Sequence, residues 1–532
     1  MKILNKYILA LAVIFFASAC NEDEFFELEF PVENPWQTPT DFEKVALGVY
    51  YAMTGNGGNG SLFANRRIPS VAISDEGTFV FEAGGDADVQ SMYERNSSIE
   101  LGLMSNVFNA SYFIIGTANA GLESFENTDN PYPNFPDQIE NVSRIRGELL
   151  FGRAFAYWSL AKSYCPPYNP GGSNDAQILP KRLALPANIE EANNSELFTT
   201  GELYDQVVAD LQEAKGYLPE AFDPSIHHPS YQEGRATKFA AAALLGRVLF
   251  QMGRTAEAQA EFDYVIDQNN GLFDMTQEPI EAWNKITTSD RGNETIWFYQ
   301  GADGDGLTNN GWKDIRRLEF LDFNRRQDDS EASNSASRTL AVSEAFLSAV
   351  GWIDADGNET QTALNDLRYT QLFKRIPGGT DPRFSDLNTG YLLGDGSLVW
   401  ADKYYQGENR DQTSLPVLRL AEAHLTRAII RFNNGDTQGA ADDLNAVRAR
   451  AWNEAAAGEA YIPVTAGEIT AEMIHNERLI EMAFEGDRAH YLQAQQIDIP
   501  NGDRGTGSIA WDSDGLYFPI REREKEVNNA YN

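Results

Sequence analysis

Residues 235–267 read RATKFAAAALLGRVLFQMGRTAEAQAEFDYVID, and this stretch decides the fold. Apolar residues recur at three- and four-residue steps on either side of Gly253, so the segment predicts two helices joined at that glycine. The small residues Ala240, Ala243 and Gly246 allow the two helices to approach closely. Ala256, Phe262 and Val265 are expected to face back toward them.

A second copy follows at 416–450, PVLRLAEAHLTRAIIRFNNGDTQGAADDLNAVRAR. A shift of 182 residues sets Gly253 on Gly435, Ala258 on Ala440, Phe262 on Leu444 and Val265 on Val447. Each copy resembles a tetratricopeptide hairpin, whose repeat is about 34 residues. The pair 138–164 and 200–218 reads as a third copy with a long loop inserted between its helices. Thr200 is the expected cap of its second helix, and Pro219 stops it. A further helix is predicted over 469–495, and an early pair over 40–54 and 103–127. The expected fold class is therefore mainly α. It is a helical repeat scaffold (repeat helices about 40–54, 103–164, 200–268 and 415–495) that buries a continuous core and leaves a binding surface.

Long, loop-rich insertions interrupt the helices at about 55–100 and 269–414. Loops of this length inside a compact protein are functional or disordered, and the aromatics here favour function. Trp283, Trp297, Tyr299 and Trp312 fall in the second insertion beside Asn309, Asn310 and Asp314. Phe79, Phe81 and Tyr93 fall in the first beside Arg66, Asp75 and Glu76. A pyranose offers an apolar face of C–H groups and a rim of hydroxyls. Flat aromatics cover the first, while Asn, Asp and Arg hydrogen-bond the second. The alternation in ETIWFYQ also predicts a strand with one buried face.

The chain opens MKILNKYILALAVIFFASACNEDE. Two lysines precede an apolar run that ends in Ala17, Ser18 and Ala19, too short to span a bilayer stably; residues 1–19 read as an export signal. Small residues just before Cys20 resemble a bacterial lipobox, although Ala17 stands where Leu is commonest, so Cys20 is the expected lipidation site and 20–39 a lipidated linker leading into 40–532. Cys165 then has no intramolecular partner, and stability must come from the core. The net charge of −37 repels nucleic acid and anionic lipid. None of the five histidines sits in a metal-ligand spacing. DADGNE at 354–359 matches a fragment of a calcium loop without its distant Glu; it reads as a surface turn, with a structural calcium left open and no other cofactor expected. No nucleophile elbow, P-loop or dinucleotide fingerprint is present, and no catalytic residue is assigned.

Four further segments carry a family resemblance: RIRGELLFGRAFAYWSLAKSYC (144–165), AADDLNAVRARA (440–451), NERLIEMAFEGDRAHYL (476–492) and LYFPIREREKEVNNAYN (516–532). In this order they resemble the SusD/RagB outer-membrane lipoproteins of Bacteroidetes. Arg521 departs from the family pattern where a second Pro is common, and Tyr491 where Asp is common. The acidic NEDE resembles the surface-export signal of such lipoproteins. The resemblance implies a lipid-anchored glycan-binding protein at the outer-membrane surface, not an enzyme. It implies work with a SusC-like, TonB-dependent transporter that the protein would lid, with the glycan site in the insertions. Strong acidity argues for a neutral glucan such as laminarin. The pairs Arg66-Arg67, Arg316-Arg317 and Arg325-Arg326 keep an acidic glycan, alginate or pectin, as the alternative. A repeat scaffold that binds only protein and a secreted glycosidase are the rival readings.

Overall fold

A computed structural model describes residues 38–54, 62–80, 87–97, 100–232, 234–283, 293–299, 340–377, 393–404 and 415–531. Ten helices carry the scaffold: α1 (Pro39–Thr54), α2 (Gly102–Leu122), α3 (Ile139–Tyr164), α4 (Thr200–Tyr217), α5 (Lys238–Gln251), α6 (Thr255–Asp267), α7 (Leu420–Asn433), α8 (Thr437–Ala451), α9 (Ala471–Glu481) and α10 (Arg488–Ala494). From α1 to α8 each helix packs against the next, and α9 returns onto α7. The α6–α7 contact bridges the second insertion, so the helices stack as if it were not there.

The two hairpins coincide in register. Adding 182 to α5 gives the bounds of α7, and adding it to the start of α6 gives the start of α8. Both connections turn through a left-handed glycine, Gly253 at φ +71° and Gly435 at φ +84°. Phe262 closes on Gly246, where an added Cβ would stand 2.9 Å from the ring. Ala258, Phe262 and Val265 are buried, whereas Ala256 is exposed; the 3.6-residue period aligns Ala258, one turn before Phe262, with the core.

Two other expectations shift. The cap of α4 is Thr199 in place of Thr200, in a reciprocal box with Glu202. The helix expected over 469–495 is broken into α9 and α10, with Phe484 (φ 63°) and Gly486 (φ 76°) in left-handed conformation at the break. A Cβ on Gly486 would sit 3.0 Å from the Cα of Arg67, so a glycine lets the two backbones meet.

Close helix approach elsewhere also depends on missing side chains. A Cβ on Gly152 of α3 would come within 2.4 Å of Val49 on α1. Gly152→Ala is therefore expected to cost about 1–3 kcal/mol by overpacking, read from the urea midpoint, with Val49→Ala recovering much of it in the double variant.

Short antiparallel strands tie the insertions to each other, within themselves and to the lead-in of α7. β1 (Gly77–Phe79) pairs with β3 (Leu340–Val342), β2 (Thr295–Tyr299) with β6 (Leu415–Arg419), and β4 (Phe373–Pro377) with β5 (Ser397–Ala401). Among the described residues no helix is long and apolar enough to cross a membrane, and Cys165 is a buried free thiol.

Candidate functional site

The strand pairs bring the two insertions together. Phe79 pairs with Leu340, so the chain enters the 81–86 stretch beside the point where it returns from 300–339. Tyr299 pairs with Leu415, so 300–339 departs beside the return from 405–414. Phe81, Asn309, Asn310, Trp312 and Asp314 lie outside the described residues, as do Cys20 and the arginine pairs at 316–317 and 325–326. What is described is the base formed by the strand pairs that flank those stretches along the chain.

That base is built from the segment Ser74-Asp75-Glu76. Asp75 is buried and accepts two hydrogen bonds from Arg488, from Nε at 2.9 Å and Nη2 at 3.0 Å. The Glu76 carbonyl accepts from the Ser343 N–H at 2.8 Å, which locks β1 to the cap of the short helix Glu344–Ala349. The Glu76 carboxyl is buried and receives the N–H of Phe484 at 3.2 Å, from the break between α9 and α10. Burial and then the charge of Asp75 push Glu76 up to about 8. Arg504 holds the outer side: its guanidinium lies 3.9 Å from the centre of the Tyr93 ring, and Nη1 donates to the Ser74 carbonyl.

Four residues expected to meet ligand are therefore structural. Trp297 is buried among Phe151, Phe155 and Phe63, at centroid distances of 4.8, 5.1 and 5.2 Å, and its Nε1 donates to the Gly234 carbonyl. Irregular register on both sides of Trp297 overrides simple alternation, and Phe298 is buried too. Trp283 is buried edge-on to Tyr404, beneath the cations of Lys403 and Arg419. Arg66 is buried over the rings of Phe155 and Trp158. Asp75 is spent on Arg488. Arg67 is likewise buried, donating to the Pro416 carbonyl, so this arginine pair does not offer a surface grip for acid. Tyr93 is half-buried at the rim, with its hydroxyl 3.4 Å from Thr78 Oγ1, and Tyr299 ends β2 at the mouth of the insertion. The side chain of Tyr299 lies outside the described residues.

Sequence reading missed Arg488, Arg504 and Phe484 as supports of this base. Their partners lie some four hundred residues away along the chain, so no local pattern exposes the pairing. At 354–359, the Asp354 carboxylate accepts backbone N–H groups of Asp356 and Asn358, both at 2.9 Å, so the turn closes on itself. Among the described residues there is no cluster of three or more His, Cys, Asp or Glu that could hold a metal.

Two family models match successive parts of the chain. One, described as starch-binding and associating with the outer membrane, covers residues 70–250. The other, the SusD family, covers 259–491. A SusD-like protein P2 of Formosa agariphila is 26% identical over 389 residues, 64% of this chain and 70% of that protein. A SusD superfamily protein of Bacteroides thetaiotaomicron has a similar structure, with a TM-score of 0.71 at 17% identity over 93% of this chain and 98% of its own. A solved structure titled as a laminarin-binding SusD-like protein gives 0.62 at 19% identity, over 93% and 98% of the two chains. At these identities the structural likenesses speak to the fold.

Proposed function

The chain belongs to the SusD family, and from that premise we propose that it captures a neutral glucan such as laminarin at the cell surface and passes it to a SusC-like, TonB-dependent transporter. The observation that carries this reading is the pairing of β1 with β3. It sets the first insertion beside the second, in a chain that matches a family model described as starch-binding and a solved structure titled as laminarin-binding. The net charge of −37 favours an uncharged polymer. With Arg66 and Arg67 buried, the acidic-glycan alternative rests on the pairs at 316–317 and 325–326. Lipidation at Cys20 would hold the protein at the outer membrane, and many anchored copies would supply avidity that one weak site lacks. Stacking and hydrogen bonds suffice for capture; no bond in the sugar need break.

Affinity electrophoresis of residues 21–532 against laminarin, mixed-linkage glucan, starch, xylan, mannan, alginate and pectin tests the reading. Retardation by a neutral glucan, with no new reducing ends released, supports it. Retardation by alginate or pectin alone moves the site to the arginine pairs. Trp312→Ala is expected to weaken binding of the retarding polymer by about tenfold or more while the melting temperature holds. If the variant instead unfolds, Trp312 is a core residue and the site lies elsewhere.

A further inference from the structure

A cavity of about 390 Å³ opens between α8, α9 and the part of the second insertion that runs from 349 to 368. Its size falls within the range of roughly 300–1,000 Å³ usual for small-molecule sites. It is lined by none of the residues that form the base around Asp75 and Glu76.

Its walls combine three features. The first is aromatic. Trp452 and Tyr461 stand with ring centres 6.1 Å apart and planes at 56°. Each ring is fixed by its polar end: Trp452 Nε1 donates to the Glu459 carbonyl at 2.9 Å, and Tyr461 Oη to Asn445 Oδ1 at 2.6 Å. Both rings are half-buried, so neither is consumed by the core.

The second is unused hydrogen-bonding capacity. Trp352 backs the cavity, but it is fully buried and its Nε1–H, without an acceptor among the described residues, is closed to solvent, so this capacity is carried by two asparagines. Asn476 makes no hydrogen bond to the described residues through its carboxamide. Asn365 uses its oxygen to accept from Gln361 and keeps its amide N–H groups available.

The third is balanced charge. Arg368 donates to Asp366 at 2.8 Å and to Glu477 at 2.6 Å, and Arg448 Nε donates to Glu477 at 2.6 Å. Two guanidiniums thus face two carboxylates in the lining. An anionic ligand would meet the carboxylates and a cationic one the guanidiniums, whereas a neutral polyol meets fixed donors and acceptors without displacing either pair.

We propose that this cavity is a second saccharide site, separate from the insertion loops, which takes one or two residues of a neutral glycan with a ring face against Trp452. The proposal rests on the glycan-binding reading above and adds to it a short-chain site on the repeat helices.

The test uses residues 21–532 with laminaribiose, cellobiose and maltose as probes, followed by calorimetry and saturation-transfer NMR. Polymer retardation is measured in parallel. The wild-type protein is expected to bind at least one disaccharide. Trp452→Ala and Asn476→Ala are each expected to weaken that binding by about tenfold while polymer retardation changes less than about threefold. Asn476→Ala removes a carboxamide with no partner among the described residues, so it remains informative if Trp452→Ala folds poorly. Trp312→Ala is expected to do the reverse of both. A disaccharide bound equally well by both cavity variants overturns the second site. So does a wild-type protein that retards a polymer but binds no disaccharide, and in that case the loop-site reading stands. Failure to retard any polymer and to bind any disaccharide overturns the glycan reading and this one together.

Discussion

Glu481→Gln is expected to lower the unfolding free energy by about 3–5 kcal/mol, the usual cost of removing one partner from a buried ionic group. Glu481 is 2% exposed and stands among three guanidiniums. Arg450 Nη2 and Arg419 Nη1 reach its Oε1 at 2.6 and 2.7 Å, and Arg368 Nη1 reaches Oε2 at 3.2 Å. Arg419 also holds Glu294 at 2.6 Å and Glu485 at 2.6 Å, so the network ties α9 to β6 and to the start of β2. Removing the carboxylate leaves cations buried in low dielectric, and the amide cannot offset them. Burial alone would raise the Glu481 pKa, but Arg450, Arg419 and Arg368 outweigh it and hold the carboxyl well below the ordinary range. Its contribution to stability is therefore complete above the ordinary glutamate pKa and is lost as pH falls through its depressed folded value. Urea titrations at pH 7 and in the acid range measure both effects. The control is Glu522→Gln, at a surface pair with Lys525, which is expected to change nothing measurable. A Glu481→Gln protein as stable as wild type would mean that the network relaxes around the missing charge.

The second large effect has the opposite sign. Glu76→Gln is expected to stabilise the protein progressively as pH rises above the ordinary glutamate pKa, with the full gain reached above about 8, the value to which burial and then the charge of Asp75 raise its carboxyl. Because the folded pKa lies above the unfolded value, Glu76 stabilises fully below the ordinary glutamate pKa. That stability drains away as pH rises toward and through the folded value. One pKa unit corresponds to about 1.4 kcal/mol, so the drift amounts to a few kcal/mol. Protonated Glu76 can donate to Ser74 Oγ at 3.1 Å while its other oxygen accepts the Phe484 N–H; Gln reproduces both bonds without a proton to lose. Melting temperatures from pH 5 to 9 should fall for wild type and run flatter for the variant. Parallel profiles would place an ionised Glu76 in the folded protein across the whole range. The same residue supports the junction of the two insertions, so polymer binding should weaken in wild type over the alkaline limb and hold in Glu76→Gln.

The helices were legible because helical periodicity is local. Apolar spacing and the paired glycines at 253 and 435 place both hairpins, and the 182-residue shift is repeated in their observed bounds. Where tertiary partners compete with local pattern, reading failed. An unbroken period over 469–495 predicts one helix, yet Gly486 must admit the backbone of Arg67 and Phe484 must present its N–H to Glu76. The break exists for partners about four hundred residues upstream.

The candidate site was less legible for a related reason. Aromatic residues beside amides and carboxylates describe a sugar-binding surface, but they describe a packed core as well. Composition cannot tell which face of Trp297 meets water, and only the tertiary structure puts Phe63, Phe151 and Phe155 around it. Asp75 and Arg66 carry charge and look exposed in sequence; three-dimensional pairing with Arg488 and stacking on Phe155 and Trp158 bury them. Conversely, Trp452, just past the end of α8, and Asn476, on α9, look like scaffold in the sequence, and a cavity assembled from residues 349 to 480 makes them candidates. The sequence by itself determined the mainly helical class, the repeated hairpins and the acidity, because each follows from neighbours along the chain or from composition. The tertiary structure decided which charges are buried, where the long helix breaks and which aromatics remain open, because burial depends on what distant segments bring to the same place.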